Sequence, residues 1–247
     1  MIDHTKKKIP QNSVNFDKPT PYAESVGRLH RLWRKLTFRD ILRKVRRYGD
    51  HQVLSIMDVG CGSGYLLQTL SEKFPNATLT GVELDHRLND KIRNIVPKAE
   101  IINSDAESFE VSETFDLIVS TQVIEHLYNP DAFLAKVSSR LSDCGLVILT
   151  TPNVDGFGAK VHGSRWNGYR EDHVCLLNTP AWEYKFENAG FEILFSGSTF
   201  FSGVKIFRKT PLRLVNDLLL LMFGSCRWQR GESLVFVLKK ASPHAHL

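Results

Sequence analysis

Residues 56–67 read IMDVGCGSGYLL. The segment from 56 to 59 is apolar except for Asp58 and reads as a buried strand; Gly60, Gly62 and Gly64 form a loop, and Tyr65, Leu66 and Leu67 open a helix. Glycine permits tight turning and lets a ligand approach the backbone closely. A dinucleotide fingerprint, G-x-G-x-x-G, would need glycine where Tyr65 or Leu67 stands, so pyrophosphate binding is disfavoured.

Outward from this loop, short apolar runs alternate with helical stretches. The runs are VLSIMDV (53–59), ATLTGVE (77–83), AEIINSD (99–105), FDLIVS (115–120) and GLVILTT (145–151). Between them lie GYLLQTLSEKF (64–74), a helix near 86–95, and a helix over 131–141 that Gly145 ends. This alternation predicts right-handed βαβ units and a parallel sheet. Thr179 and Pro180 read as N-cap and first turn of a helix over 181–189, which Gly190 ends before the strand FEILFS (191–196). The last strand is expected at 234–238.

The chain has 247 residues, of which 42% are hydrophobic and 24% charged, which argues against fibrous and wholly disordered classes. Four cysteines without a CxxC pair suggest neither a disulfide framework nor a zinc ribbon, so a reducing, cytoplasmic setting is expected. The first 21 residues show no apolar signal segment, and the longest aliphatic run, 218–223, falls far short of the ~20 residues a membrane-spanning helix needs. Charge is +5 overall, but Arg28 to Arg47 holds nine Lys or Arg against one acid, Asp40. Apolar spacing there predicts one or two amphipathic helices broken near Thr37. The expected organisation is a flexible N-terminus (1–22) and one domain (23–247). Within the domain lie a basic helical layer (23–49), a lid or acceptor loop (154–178) and a helical insertion (207–231).

Two acids mark strand ends. Glu83 follows Gly64 by 19 residues, where a carboxylate can accept from both hydroxyls of a ribose. Asp105 closes the third strand, where it could address the amino edge of an adenine. Ligands of open α/β sheets bind outside the carboxyl ends of the strands, so the three strand ends together imply a nucleoside-type ligand.

The pattern resembles the class I S-adenosylmethionine-dependent methyltransferases, in particular the branch containing the ubiquinone-biosynthesis O-methyltransferases. The resemblance spans roughly 53–240 and rests on DVGCGSG (58–64), VELD (82–85), SDAESF (104–109), FDLIVSTQVIEHLYNP (115–130) and GLVILTTPN (145–153). It implies an α/β, Rossmann-like fold: a seven-stranded, mostly parallel sheet with an antiparallel last strand and helices on both faces. It implies S-adenosyl-L-methionine as cofactor. Asp58 would fix the loop or the methionine amino end, with Gly60, Cys61, Gly62 and Gly64 lining the methionine moiety. Glu83 would hold the ribose, Asp105 and Ala106 would flank adenine, and Thr121 would lie near the sulfonium. Asp116 reads as structural.

Methyl transfer from a sulfonium uses an already activated donor, so a protein mainly supplies proximity, worth up to about 7–11 kcal/mol, and a base where the acceptor is protonated. His126, in VIEHL after the fourth strand, is the candidate base, with Glu125 as its orienter or as a helix-start carboxylate. His173, in YREDHVCLL, is a candidate acceptor contact. QVIEHL also looks like the metal-binding ExxEH pattern of small-RNA 2′-O-methyltransferases. Gln122 replaces its first carboxylate, which weakens a hard-ion site, and no metal is assigned, although Glu125, His126 and His173 could still bind a softer ion. In the lid, Trp166, Tyr169 and Arg170 are candidates to stack on or clamp an acceptor.

The expected function is O-methylation of a small-molecule or lipid-linked acceptor. The alternatives are RNA methylation, motivated by a pI near 9.0 and the basic helix, and non-catalytic cofactor binding. The segment 205–230 is a candidate peripheral membrane contact: Lys205, Arg208, Lys209 and Arg213 precede its leucines, and Arg227 and Arg230 follow, with Trp228 as a headgroup anchor.

Overall fold

The computed structural model describes residues 28–49, 52–200 and 212–242. The expected N-terminal tail, 1–22, and the cations at 205, 208 and 209 lie outside these. Seven strands form one sheet: β1 (Ser55–Val59), β2 (Thr78–Glu83), β3 (Glu100–Asn103), β4 (Phe115–Thr121), β5 (Leu141–Pro152), β6 (Phe191–Ser198) and β7 (Ser233–Lys240). Their order is β3-β2-β1-β4-β5-β7-β6. β1 pairs in parallel with both β2 and β4, and β7 runs antiparallel to both β5 and β6. The mostly parallel sheet with an antiparallel last strand is therefore observed.

Alternation along the central strands sends neighbouring residues to opposite faces. Met57, Ile118, Val147 and Leu149 join one core with Phe133, Leu134 and Val137 of α4 (Pro130–Arg140) and Trp182 and Phe186 of α6 (Thr179–Asn188). Ile56, Leu117, Val119 and Ile148 join a second core on the other face. Its helical partners are Ile41 and Val45 of α1 (Arg28–Tyr48), Leu66, Leu67 and Leu70 of α2 (Tyr65–Lys73), and Ile92 of α3 (Asn89–Ile95). Asp116 is structural: its carboxylate accepts from the Leu54 and Ser55 amides at 2.9 and 3.1 Å and from Ser142 Oγ at 3.0 Å, tying together the amino ends of β1, β4 and β5.

Three local expectations change. α1 is unbroken through Thr37, because Leu36, Ile41 and Val45 anchor it on the sheet; a β-branched residue costs a helix only about 0.7 kcal/mol or less. Gly145 lies inside β5 instead of ending a helix. A Cβ there would come within 2.9 Å of the Phe115 carbonyl, at the point where the β4–β5 register shifts. The cap of α6 is Asn178, one residue before the expected Thr179; its side chain accepts from the Ala181 amide at 3.0 Å.

Between β5 and α6 the connecting segment contains α5 (Phe157–His162) and a single 3-10 turn, Gly163–Arg165. Between β6 and β7, the described part of the insertion is α7 (Leu212–Phe223) and the turn that follows it. Ser198 pairs with Leu234, and Pro152 with Ser233, so the insertion leaves and re-enters the sheet at the carboxyl end of β5.

Candidate active site

The glycine loop follows β1, where the neighbouring strands β2 and β4 lead to opposite sides. The Gly60 and Cys61 amides both donate to the Val82 carbonyl, at 2.8 and 3.0 Å, which folds the loop back over β2. Gly60 has φ +74°, and a Cβ on it would lie 2.3 Å from Val123 Cγ2. Gly62 has φ +54°, and a Cβ there would meet nothing within 4 Å. One glycine thus serves packing, while the other borders open space that a ligand can fill. Gly64, also at positive φ, leads into α2, whose first amides receive no side-chain cap.

Behind the loop, Asp58 is fully buried and neither of its carboxylate oxygens has a hydrogen-bond partner. Burial, reinforced by the Glu83 charge, pushes its pKa up to about 8. A buried carboxylate without a donor is costly unless a ligand supplies one, and an ammonium group fits that need. Glu83, at the end of β2, accepts from the Gly62 amide at 2.7 Å and the Asp85 amide at 2.9 Å, so it also holds the loop in shape. Cys61 is buried, with its thiol pKa raised by burial, and is a packing residue. Asp105 is turned toward its own loop: it accepts from the Glu107 amide at 2.8 Å and from the Ser108 hydroxyl. Ala106 is buried beside it, and Thr121 ends β4 opposite Thr150. These positions fit a nucleoside with an amino-acid tail: open space at Gly62, an unpartnered carboxylate at Asp58, and a carboxylate at the next strand end.

Beyond β4 the backbone is strained. Gln122 has φ +56°, among the described residues the one non-glycine at positive φ, and its amide donates to the Thr150 carbonyl at 2.9 Å. The following 3-10 turn, Ile124–His126, sets two side chains on different paths. Glu125 points inward, fully buried, with neither carboxylate oxygen hydrogen-bonded, and burial pushes its pKa up to about 8 despite the favourable influence of the Thr151 hydroxyl. His126 is half-buried, and its Nδ1 lies 2.9 Å from the Asp172 carbonyl. His173 Nδ1 lies 2.7 Å from the Gly168 carbonyl. Carbonyl oxygens only accept, so both rings carry a proton on Nδ1, and in the neutral ring Nε2 holds the lone pair. The rings meet edge to face with centroids 4.7 Å apart. Burial holds the His173 pKa below the usual imidazole range.

The structure therefore unites His126, His173 and Glu125, whose ligating atoms fall within 4.8 Å of one another. It also brings in a residue that sequence reading passed over, Asp172. Its carboxylate lies 3.5 Å from His126 Nδ1 and is gripped by Arg170 at 2.9 and 2.8 Å. Against the penalty of burial, the Arg170 contacts hold the Asp172 pKa below the usual carboxylate range. Nothing local in the sequence signalled it: residues 171 and 172 form a turn, in which the His173 amide donates to the Arg170 carbonyl at 3.1 Å. Trp166 departs from expectation. It is buried, donates from Nε1 to Glu232 Oε2 at 3.1 Å and packs edge to face on Tyr169, so it anchors the segment between β5 and α6. Of the three lid candidates, Tyr169 is exposed and Arg170 is occupied by Asp172.

A family model described as a methyltransferase domain matches residues 32–195, more than half of the chain. The chain belongs to this methyltransferase domain family. Among relatives of this chain, the malonyl-[acyl-carrier protein] O-methyltransferase of Priestia megaterium is 27% identical over 155 residues, covering 62% of this chain and 50% of the relative. The ubiquinone biosynthesis O-methyltransferase of Rickettsia bellii is 29% identical over 131 residues, covering 51% and 54%. The chain spans about half the length of the curated relatives it matches. Among solved structures, the plantazolicin methyltransferase BpumL in complex with SAH superposes with a TM-score of 0.64 at 20% identity, over 85% of this chain and 86% of that one. That similarity shows the fold alone.

Proposed function

We propose that the chain transfers a methyl group from S-adenosylmethionine to an oxygen of a small-molecule, carrier-held or lipid-linked acceptor, in the last case at a peripheral membrane contact. The observation that carries this reading is the His126–His173 pair, with both Nε2 lone pairs available, one strand away from the Gly62 opening and the unpartnered Asp58. When bound, the cofactor supplies a methyl group made electrophilic by its sulfonium. Asp58 would take its ammonium, the loop from Gly60 to Gly64 its methionine chain and Glu83 its ribose, while Asp105 and Ala106 would border the adenine and Thr121 would lie on the sulfonium side. His126 Nε2 accepts the proton that an acceptor hydroxyl loses as its oxygen attacks. Asp172, braced by Arg170, holds the His126 ring in the required tautomer and stabilises the imidazolium. His173 lines the acceptor side.

The Priestia relative is named for a carrier-held acid and the Rickettsia relative for a quinone precursor pathway; both names are consistent with an oxygen acceptor. Calorimetry should detect S-adenosylmethionine binding, and labelled cofactor incubated with metabolite, acyl-carrier and lipid extracts should yield a methylated product. No binding would remove the reading at its root. Within it, Glu83→Ala weakens cofactor binding by roughly 1–3 kcal/mol, since the ribose loses a charged acceptor and the Gly62 amide loses its partner. Calorimetry of the variant measures this; an affinity equal to the parent's would displace the ribose from β2.

A second reading is favoured by the cluster itself. Two imidazoles, each fixed through Nδ1–H to a carbonyl, and one buried carboxylate form a donor set suited to a divalent ion softer than Mg²⁺. In that reading Glu125, His126 and His173 would hold an ion that would supply a positive charge to the acceptor oxygen, and chelation should abolish turnover.

A further inference from the structure

α7 does not bury its apolar residues as a core helix does. Asn216 and Leu220, four residues apart, face inward, Leu220 being 2% exposed. Leu214, Leu218 and Met222, spaced by four, form a ridge on the outside with Val215 and Phe223 beside it, and Leu214 is 73% exposed. Five large apolar side chains on one 12-residue helix are far from scattered surface residues.

The ridge is presented by a fixed support. Arg43 of α1 donates to the Leu220 and Leu221 carbonyls near the C-terminus of α7, and Lys44 donates to the Ser225 carbonyl at 3.0 Å. Ser225 Oγ donates to Asp40 at 2.6 Å, and Asp40 pairs with Lys44 at 3.7 Å. α1 thus spends its one acid, buried, on holding α7. Among its described cations, Lys35, Arg39 and Arg46 fall within a narrow stripe of helical angle, all exposed. Arg227 and Arg230 are exposed in the turn after α7.

We propose that α7, flanked by the cations of α1 and of this turn, is a docking surface for an anionic lipid bilayer. An apolar ridge ringed by cations suits acyl chains below anionic headgroups. The same charge argues against a second copy, since isologous pairing through α7 would bring two basic α1 helices together. The insertion is rooted at the carboxyl ends of the strands, the edge that carries His126, so docking would bring the catalytic mouth near a lipid-held acceptor. This rests on the lipid-linked form of the acceptor reading, while its test needs no turnover. Trp228 takes no part, in contrast to the sequence expectation. Its Nε1–H is given to the Thr199 carbonyl at 3.1 Å and its ring packs on Phe200.

The test is co-sedimentation of the full chain with vesicles of phosphatidylcholine, with and without phosphatidylglycerol. The chain should bind the anionic vesicles at low salt and be released at high salt. Leu218→Asp should lower the partition coefficient about tenfold or more, and Lys35→Glu with Arg39→Glu should lower it further, with melting temperature and cofactor affinity unchanged because all three side chains are exposed. Equal binding to both vesicle types, or a Leu218→Asp variant that binds like the parent, would overturn the proposal. A dimer in sedimentation velocity that Leu218→Asp dissociates would assign the ridge to a second copy instead. Vesicle binding without any methyl transfer would leave the docking surface standing and remove only the acceptor reading.

Discussion

Replacing His126 by alanine lowers turnover by about 10²- to 10⁴-fold while cofactor affinity stays near that of the parent. The ring's Nδ1 is committed to the Asp172 carbonyl, so what the variant removes is the one nitrogen able to take a proton. Single-turnover rates with labelled cofactor measure the loss. Asp172→Asn gives a smaller loss, because the backbone carbonyl still orients the ring. An unchanged rate for His126→Ala would make the histidine a structural residue. Loss of activity on chelation, restored by adding a divalent ion, would transfer the role to a metal held by the same three side chains.

Asp58→Asn weakens cofactor binding by about 10- to 100-fold, the range expected when a hydrogen bond to a charged group is lost. The pH dependence is the sharper signature. In the empty protein the carboxyl has a pKa of about 8, raised first by burial, so it is largely protonated at pH 6. An incoming ammonium requires the ionised form, and affinity therefore rises by up to about tenfold per pH unit as pH climbs toward 8. The asparagine variant lacks this slope. The stability of the empty protein moves the other way. A carboxyl whose folded pKa exceeds its unfolded value binds more protons in the native state, so stability is fully present below the unfolded value and falls as pH rises through about 8. Calorimetric titrations in buffers of different ionisation enthalpy would report the released proton, and thermal melts the stability. Pronounced pH independence of both would mean that Asp58 does not meet the amino group.

The glycine loop and the strand ends beside it were legible in the chain because they depend on local events. A strand, a loop of glycines with positive φ, and acids at strand ends occur within consecutive stretches, and the topology places them on one edge. What could not be read was long-range pairing. Gly145 resembles a helix stop until the β4 strand comes close enough to forbid a Cβ. Asp172 gains meaning only when residues 46 positions apart meet at His126. Trp166 looked like a stacking ring, because nothing nearby in the chain announces that its indole N–H is held by Glu232, 66 residues on. The leucines of α7 show the converse: their helical spacing was plain, but which side of the helix faces α1 depends on Arg43, Asp40 and Lys44 reaching across 177 or more residues.

The position of β7 also bears on how the molecule is made. This strand, the last among the described residues, inserts between β5 and β6, which do not pair with each other. A chain emerging from the ribosome can assemble the β3-β2-β1-β4-β5 portion early. Until Ser233–Lys240 arrives, however, β5 presents an open edge and β6 has no strand to join. The half built on β1 to β4 can thus mature during synthesis, whereas the β5-β7-β6 half closes only when synthesis has passed residue 240, through non-local contacts of the kind that form slowly.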